Sequence, residues 1–310
     1  MAERWAPRDH IGSFLTELGE RNPQLVLLDA DFNTASKITG FRERFPDRFL
    51  QVGIAEQNMM GIAAGLSTLG FIPVVSTVAT FCSRRACDQV TTSIALPQSN
   101  VKILGIYAGL FVGKNGASHQ SLEDIAIMRA IANMVVLQPV DIFETRQMLE
   151  FALAHQGPVY IRIGRDPVPR FVPDDYQFQL GKSIILREGR DLALIGYGDL
   201  MEDILNAAER LQRHGLQARV INLSSIKPID EGIIVQAAEE TGLLVTIDNH
   251  NICGGAGSAV CEVVCDRKPV RVKRIGVRDC FGKSGTNEQM KEKFGLNAEA
   301  IERQTLQYLR

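Results

Sequence analysis

The stretch Phe49-Leu50-Gln51-Val52-Gly53-Ile54-Ala55-Glu56-Gln57-Asn58-Met59 passes from a strand pattern to a helix pattern within a few residues. Phe49 to Val52 reads as a short strand, and a helix is predicted near residues 54–69. Gly61, Ala63, Ala64 and Gly65 give that helix a face able to pack closely. Glu56 therefore enters an apolar, small-residue environment, where desolvation suits a carboxylate to acid–base work. The plainer meaning of an acidic residue here is charge complementarity with a helix N-terminus. Which of the two holds depends on what else meets it.

Outward from this unit, short β-branched runs alternate with amphipathic segments. Leu25–Leu28, Phe71–Val75, Val101–Tyr107, Met134–Leu137 and Val159–Ile163 read as buried parallel strands, with helices near 54–69, 79–95, 121–132 and 141–154. Pro167, Pro169 and Pro173 then fall in a polar stretch that reads as a linker. A second alternation follows, with strands at Leu192–Gly196, Ala218–Leu223, Leu243–Asp248 and Val270–Val277 and helices near 199–214, 230–240, 256–266 and 286–295. The predicted architecture is α/β, with two open α/β domains over residues 1–166 and 183–310 and a linker over 167–182. Ligands of open α/β sheets gather at the carboxyl ends of the strands. In the first domain that rule brings Glu56, Phe81, His119 and Arg165 to one edge.

Composition narrows the function classes. The 310 residues are 45% hydrophobic and 23% charged, with a net charge of -2, which gives no sign of a nucleic-acid or anionic-membrane partner. No apolar run approaches the ~20 residues of a membrane helix, and no signal-peptide core follows Met1, so a cytoplasmic protein is expected. The six cysteines do not form a disulfide framework; Cys261 and Cys265 share a helix face without a nearby histidine, and no metal site is expected there. Gly254-Gly255-Ala256-Gly257 opens a helix but lacks the spacing of a dinucleotide loop, and close helix–sheet packing is its simpler reading.

Several ordered blocks carry a family resemblance. Leu28-Asp29-Ala30-Asp31, Pro46-Asp47-Arg48-Phe49, Ile54-Ala55-Glu56-Gln57-Asn58-Met59, Ser76-Thr77, Phe81 and Asp88-Gln89-Val90 come first. Gly113-Lys114-Asn115-Gly116-Ala117-Ser118-His119-Gln120 and Leu122-Glu123-Asp124-Ile125-Ala126 follow. Together they resemble the pyrimidine-binding domain of transketolases. Ile226-Lys227-Pro228-Ile229-Asp230, Asp248-Asn249-His250 and Gly254 to Gly257 resemble the transketolase C-terminal domain. No Gly-Asp-Gly, the family's metal and diphosphate signature, occurs in the sequence; Gly196-Tyr197-Gly198-Asp199 comes nearest and reads as an ordinary turn. The chain thus looks like the C-terminal subunit of a split transketolase.

That resemblance implies thiamine diphosphate as cofactor, with Mg2+ (or Ca2+) held by a separate N-terminal subunit, and an α2β2 assembly. It implies that Glu56 hydrogen-bonds the aminopyrimidine N1′, that Phe81 stacks on the ring, and that Asp31 and Val78 also line the cofactor. His119 and Arg165 would face the substrate, the histidine near the reacting carbons and the arginine at the distal phosphate. Asn115 and Tyr107 would line the substrate channel where an aspartate and a histidine are common, while Val78 and Arg84 stand at aromatic positions. The expected reaction transfers a two-carbon glycolaldehyde unit from a ketose phosphate, of a non-standard kind, to an aldose. His250 is expected near a subunit interface and Arg162 in a structural role. The alternatives left open are a β subunit of a 2-oxoacid dehydrogenase-type decarboxylase, a deoxyxylulose-phosphate synthase fragment and a non-catalytic regulatory paralogue.

Overall fold

The structure, a computed structural model, describes residues 3–309. The chain divides into two compact units, one built from residues up to Ala108 together with Ile127–Phe178, the other from Gly109–Ala126 together with the chain from Gln179 onward. In the first unit β1 (Leu25–Asp29), β2 (Phe49–Gln51), β3 (Ile72–Val78), β4 (Lys102–Ile106), β5 (Val135–Leu137) and β6 (Val159–Ile163) form a parallel sheet in the order β5-β6-β4-β3-β1-β2. Every residue of β1, β4, β5 and β6 is buried, as expected of parallel strands covered on both faces.

Parallel pairing puts the carboxyl ends along one edge. Asp29 lies opposite both Gln51 and Ser76, Val78 opposite Ile106, and Ile106 opposite Ile163. The segments leaving this edge carry Asp31, Glu56, Phe81, Tyr107 and Arg165, one from each of five strands. Three helices fall outside the predicted alternation: α1 (Pro7–Arg21), α2 (Thr39–Arg44) and the C-terminal Ala298–Leu309. α1 begins at a proline, which suits the first helical turn, and buries Ile11, Leu15 and Leu18.

The polar stretch after β6 is well tied down. Val168 pairs with Trp5, Asp141 Oδ2 accepts from Phe171 N (2.7 Å) and Val172 N (3.1 Å), and Tyr176 Oη donates to Glu144 at 2.7 Å. Residues through Phe178 accordingly pack with the first unit.

In the second unit the sheet order is Arg271–Val277, Leu243–Asn251, Leu192–Gly196, Ala218–Asn222, Ile184–Arg187, with only the last strand antiparallel. The glycines at its Ala256–Arg267 helix serve close packing: a Cβ on Gly257 would meet Asp248 Oδ2 at 2.9 Å, and the Gly257 N–H donates to that same oxygen at 2.9 Å. His250 is fully buried within its own unit, its Nδ1 2.6 Å from Asn251 O and its Nε2 accepting from Ala126 N at 3.5 Å. No described helix is long and apolar enough to cross a membrane.

Candidate active site

Glu56 opens α3 (Glu56–Thr68) directly after a sharp turn. Gly53 holds φ 72°, a left-handed conformation natural to glycine, and Ala55 N donates to Gly53 O at 2.7 Å. The turn drives the carboxylate inward, where Glu56 is 1% exposed. A buried carboxylate needs a partner, and Arg85 supplies it: Nη1 donates to Glu56 Oε2 at 2.7 Å. The same guanidinium lies over the Phe81 ring, 4.2 Å from its centroid. Phe81–Arg85 is a π-helical turn, widened so that Ala86 N donates to Phe81 O at 3.2 Å, and such turns are frequent at functional sites. Glu56 and Phe81, predicted as site residues, are brought together, and Arg85 is the link. Val78 closes β3 beside them in sequence and is buried.

A second cluster braces the approach to Glu56. Gln51 Oε1 accepts from Asp31 N (2.8 Å) and Gly53 N (3.0 Å), while Gln51 Nε2 donates to Asp29 Oδ2 at 2.6 Å. Asp29 Oδ2 also accepts from Phe32 N at 2.9 Å and Asn33 N at 3.1 Å. Burial pushes the Asp29 carboxyl above its ordinary pKa, against the pull of these hydrogen bonds. Its Oδ1 is buried without a hydrogen-bond partner. Asp31 itself is exposed and holds φ 58°, so its backbone is fixed by Gln51 while its side chain faces solvent.

Tyr107 follows β4 with φ 60°, a conformation that a bulky side chain adopts only under constraint. The constraint is visible around it. Phe32 packs edge-on at 5.3 Å, Arg8 Nη1 donates to the phenol at 2.8 Å, and the Arg8 and Arg165 guanidinium carbons lie 5.4 Å and 5.0 Å from the ring centroid. Two cations thus flank one aromatic side chain at the carboxyl edge, a setting fit for an anionic group. Asp9 engages Arg8 at 2.9 Å and 2.6 Å and holds its orientation. Arg162 takes the structural role expected of it, buried and donating to Gln138 Oε1 at 2.7 Å.

Asn115 and His119 belong to the second unit. Their loop is fastened there by Leu110 N donating to Asn249 Oδ1 (2.7 Å), Gly113 N to Asn287 Oδ1 (3.0 Å), and Gln120 Nε2 to Leu110 O and Lys283 O (both 2.9 Å). Asn115 ends a short 3-10 turn and is exposed; His119 is half-buried, with Ser118 Oγ 3.0 Å from Nδ1.

Arg8, Gln51, Asp29 and Arg85 were not among the predicted site residues. Nothing in the run Ser83-Arg84-Arg85-Ala86-Cys87-Asp88 singles Arg85 out from its neighbour Arg84.

Residues 4–170 match the family model described as transketolase, pyrimidine binding domain, and residues 181–301 match the transketolase C-terminal domain. The chain is 43% identical, over 98% of its length and 94% of the relative's, to a 6-deoxy-6-sulfo-D-fructose transketolase subunit of Clostridium sp. (strain MSTE9). It is 36% identical, over 96% of its length and 95% of the relative's, to one of the apulose-4-phosphate transketolase subunits of Phocaeicola vulgatus. Its fold matches a solved structure described as a split gene transketolase, inactive beta4 tetramer, with TM-score 0.90, 43% identity and 97% of each chain covered.

Proposed function

The chain belongs to the transketolase family, and we propose that it is the pyrimidine-binding subunit of a two-chain enzyme that moves a glycolaldehyde unit from an anionic ketose to an aldose. The observation that carries this reading is the pairing of buried Glu56 with Phe81 at the carboxyl edge of a parallel sheet. A flat, nitrogen-rich guanidinium already sits against both, so a flat aminopyrimidine fits the same surfaces. Thiamine diphosphate, the family's cofactor, supplies the electron sink for carbon–carbon cleavage. Phe81 would stack on its pyrimidine, Glu56 would hold a proton at N1′, and Val78 and Asp31 would border the ring. The diphosphate and its Mg2+ or Ca2+ belong, in this reading, to a separate N-terminal subunit.

The substrate's distal anion falls to Arg8 and Arg165 about Tyr107. His119 and Asn115 are proposed as substrate contacts on the strength of the family resemblance alone. A neutral asparagine in place of an aspartate and a tyrosine in place of a histidine favour a sugar other than the common pentose phosphates. The relatives named for a sulfosugar and for apulose 4-phosphate support the same direction. Ile54, beside Glu56, and Leu69 and Leu96 at the ends of two apolar segments are each more than 70% exposed, which supports a multimer that covers them. An α2β2 assembly meets that need.

The test is purification of the chain with whatever accompanies it in its own cells, followed by assay with thiamine diphosphate, Mg2+ and a panel of phosphorylated and sulfonated ketoses. A Gly-Asp-Gly-bearing partner and transfer that disappears in Glu56→Ala are expected. A Glu56→Ala complex, assembled and cofactor-saturated, with wild-type turnover would sink the proposal, as would carbon dioxide release from 2-oxoacids in place of transfer.

A further inference from the structure

The geometry points to Arg85 as a resident surrogate for the aminopyrimidine, a side chain that fills the ring's place and must swing out when the cofactor enters. This rests on the reading of Glu56 and Phe81 as the pyrimidine site. Both of the contacts that site would offer a pyrimidine are taken by one group, an N–H to Glu56 Oε2 at 2.7 Å and a guanidinium carbon over the Phe81 ring, 4.2 Å from its centroid. A guanidinium is a planar fork of N–H donors that stacks on aromatic faces, which makes it the side chain nearest in shape and polarity to an aminopyrimidine edge. The two partners differ in exposure, 1% for Glu56 against 42% for Arg85. The acid is fixed in the protein, whereas the base reaches it from a solvent-accessible position and is able to leave by the same route.

A surrogate of this kind keeps a buried carboxylate paired until the cofactor arrives, since an isolated buried charge is costly. It also makes loading competitive: each cofactor molecule exchanges one stacked, hydrogen-bonded planar group for another. A purely structural Arg85 would act in the opposite direction. Its loss would disorder Glu56 and remove a positive charge near a site for an anionic cofactor, and both effects weaken binding. The sign of the change in affinity therefore separates the two roles.

The experiment is isothermal titration of the complex of this chain and its partner subunit with thiamine diphosphate in Mg2+, with association rates by stopped-flow fluorescence. The proteins compared are wild type, Arg85→Ala and Arg85→Lys. The surrogate role predicts Kd about tenfold lower and faster association in Arg85→Ala, the tenfold corresponding to about 1.4 kcal/mol. Arg85→Lys, which keeps the charge and loses the plane, should fall between. Equal or weaker binding by Arg85→Ala overturns the proposal. If that variant does not assemble, Arg85→Lys decides: tighter binding than wild type supports the surrogate, and equal or weaker binding overturns it. Failure of wild type and both variants to bind thiamine diphosphate would overturn the functional reading itself, and the surrogate with it.

Discussion

Replacing Gln51 by leucine tests how Glu56 is delivered. The Gln51 amide makes three hydrogen bonds, at 2.6 Å to the Asp29 carboxylate and at 2.8 Å and 3.0 Å from the N–H groups of Asp31 and Gly53. The bond to the buried carboxylate is the costly one to lose, about 1.5–3 kcal/mol for a charged acceptor, because Asp29 Oδ1 already lacks a partner. The two backbone donors lie near solvent and can turn to water, so they add about 0.5 kcal/mol each or less. Urea unfolding should show Gln51→Leu about 2–3 kcal/mol less stable than wild type. Gln51→Glu should be worse near neutral pH, since a second carboxylate then faces Asp29 across a short contact. One carboxyl of that pair would keep its proton in the folded state above its unfolded pKa. The folded chain then binds more protons, and the deficit shrinks as pH falls from 8 toward 5. Asp29→Asn combined with Gln51→Glu restores a donor opposite an acceptor and should recover most of the loss. Equal stability of wild type, Gln51→Leu and Gln51→Glu would refute the bracing role, as would a double variant no better than Gln51→Glu alone.

Two further outcomes follow from the structure. Lys102 is buried at the start of β4, donating to Asn100 Oδ1 (2.6 Å), His155 O (2.7 Å) and Gly157 O (2.7 Å), and burial lowers its pKa to about 7. The unfolded lysine, with its ordinary pKa of 10.5, binds the extra proton between these values, so stability should rise by about 2 kcal/mol from pH 7 to 9, measured by urea midpoints. Lys102→Met should remove that rise, and a wild-type curve parallel to the variant's would show an ammonium held charged by its three acceptors. At the predicted anion site, Arg165→Ala should raise KM for an anionic ketose about tenfold or more with a smaller change in kcat, whereas Tyr107→Phe, which keeps the ring under both guanidiniums, should raise it only a few-fold. Equal KM values for Arg165→Ala and wild type would move the anion elsewhere.

The parallel strands were legible because burial on both faces writes a continuous apolar run. The helix starts at Glu56, Ala256 and Asn287 were legible from their small or capping residues. α1 and the C-terminal helix were harder to see, being polar helices with narrow apolar stripes. What the sequence does not write is any contact between side chains far apart along it. Glu56 and Arg85 are 29 residues apart, Asp29 and Gln51 22, and Arg8 and Tyr107 99. The His119 loop follows β4 directly, yet it is fastened to Asn249, 139 residues beyond Leu110. The pyrimidine-binding family match over residues 4–170 includes that loop, while its hydrogen bonds lie within the second compact unit.

Glu56 shows where the two levels meet. Charge complementarity with a helix N-terminus, the commonplace account of an acid at that position, stabilises by about 0.3–1 kcal/mol at an exposed site and asks for no burial. At 1% exposure the desolvation cost exceeds that by several kcal/mol, so the dipole cannot be what keeps the carboxylate inside. Something must meet it there with a hydrogen bond and a stacking face nearby. Arg85 does so in this structure, and the ring of an aminopyrimidine is the other group in the proposed reaction that can.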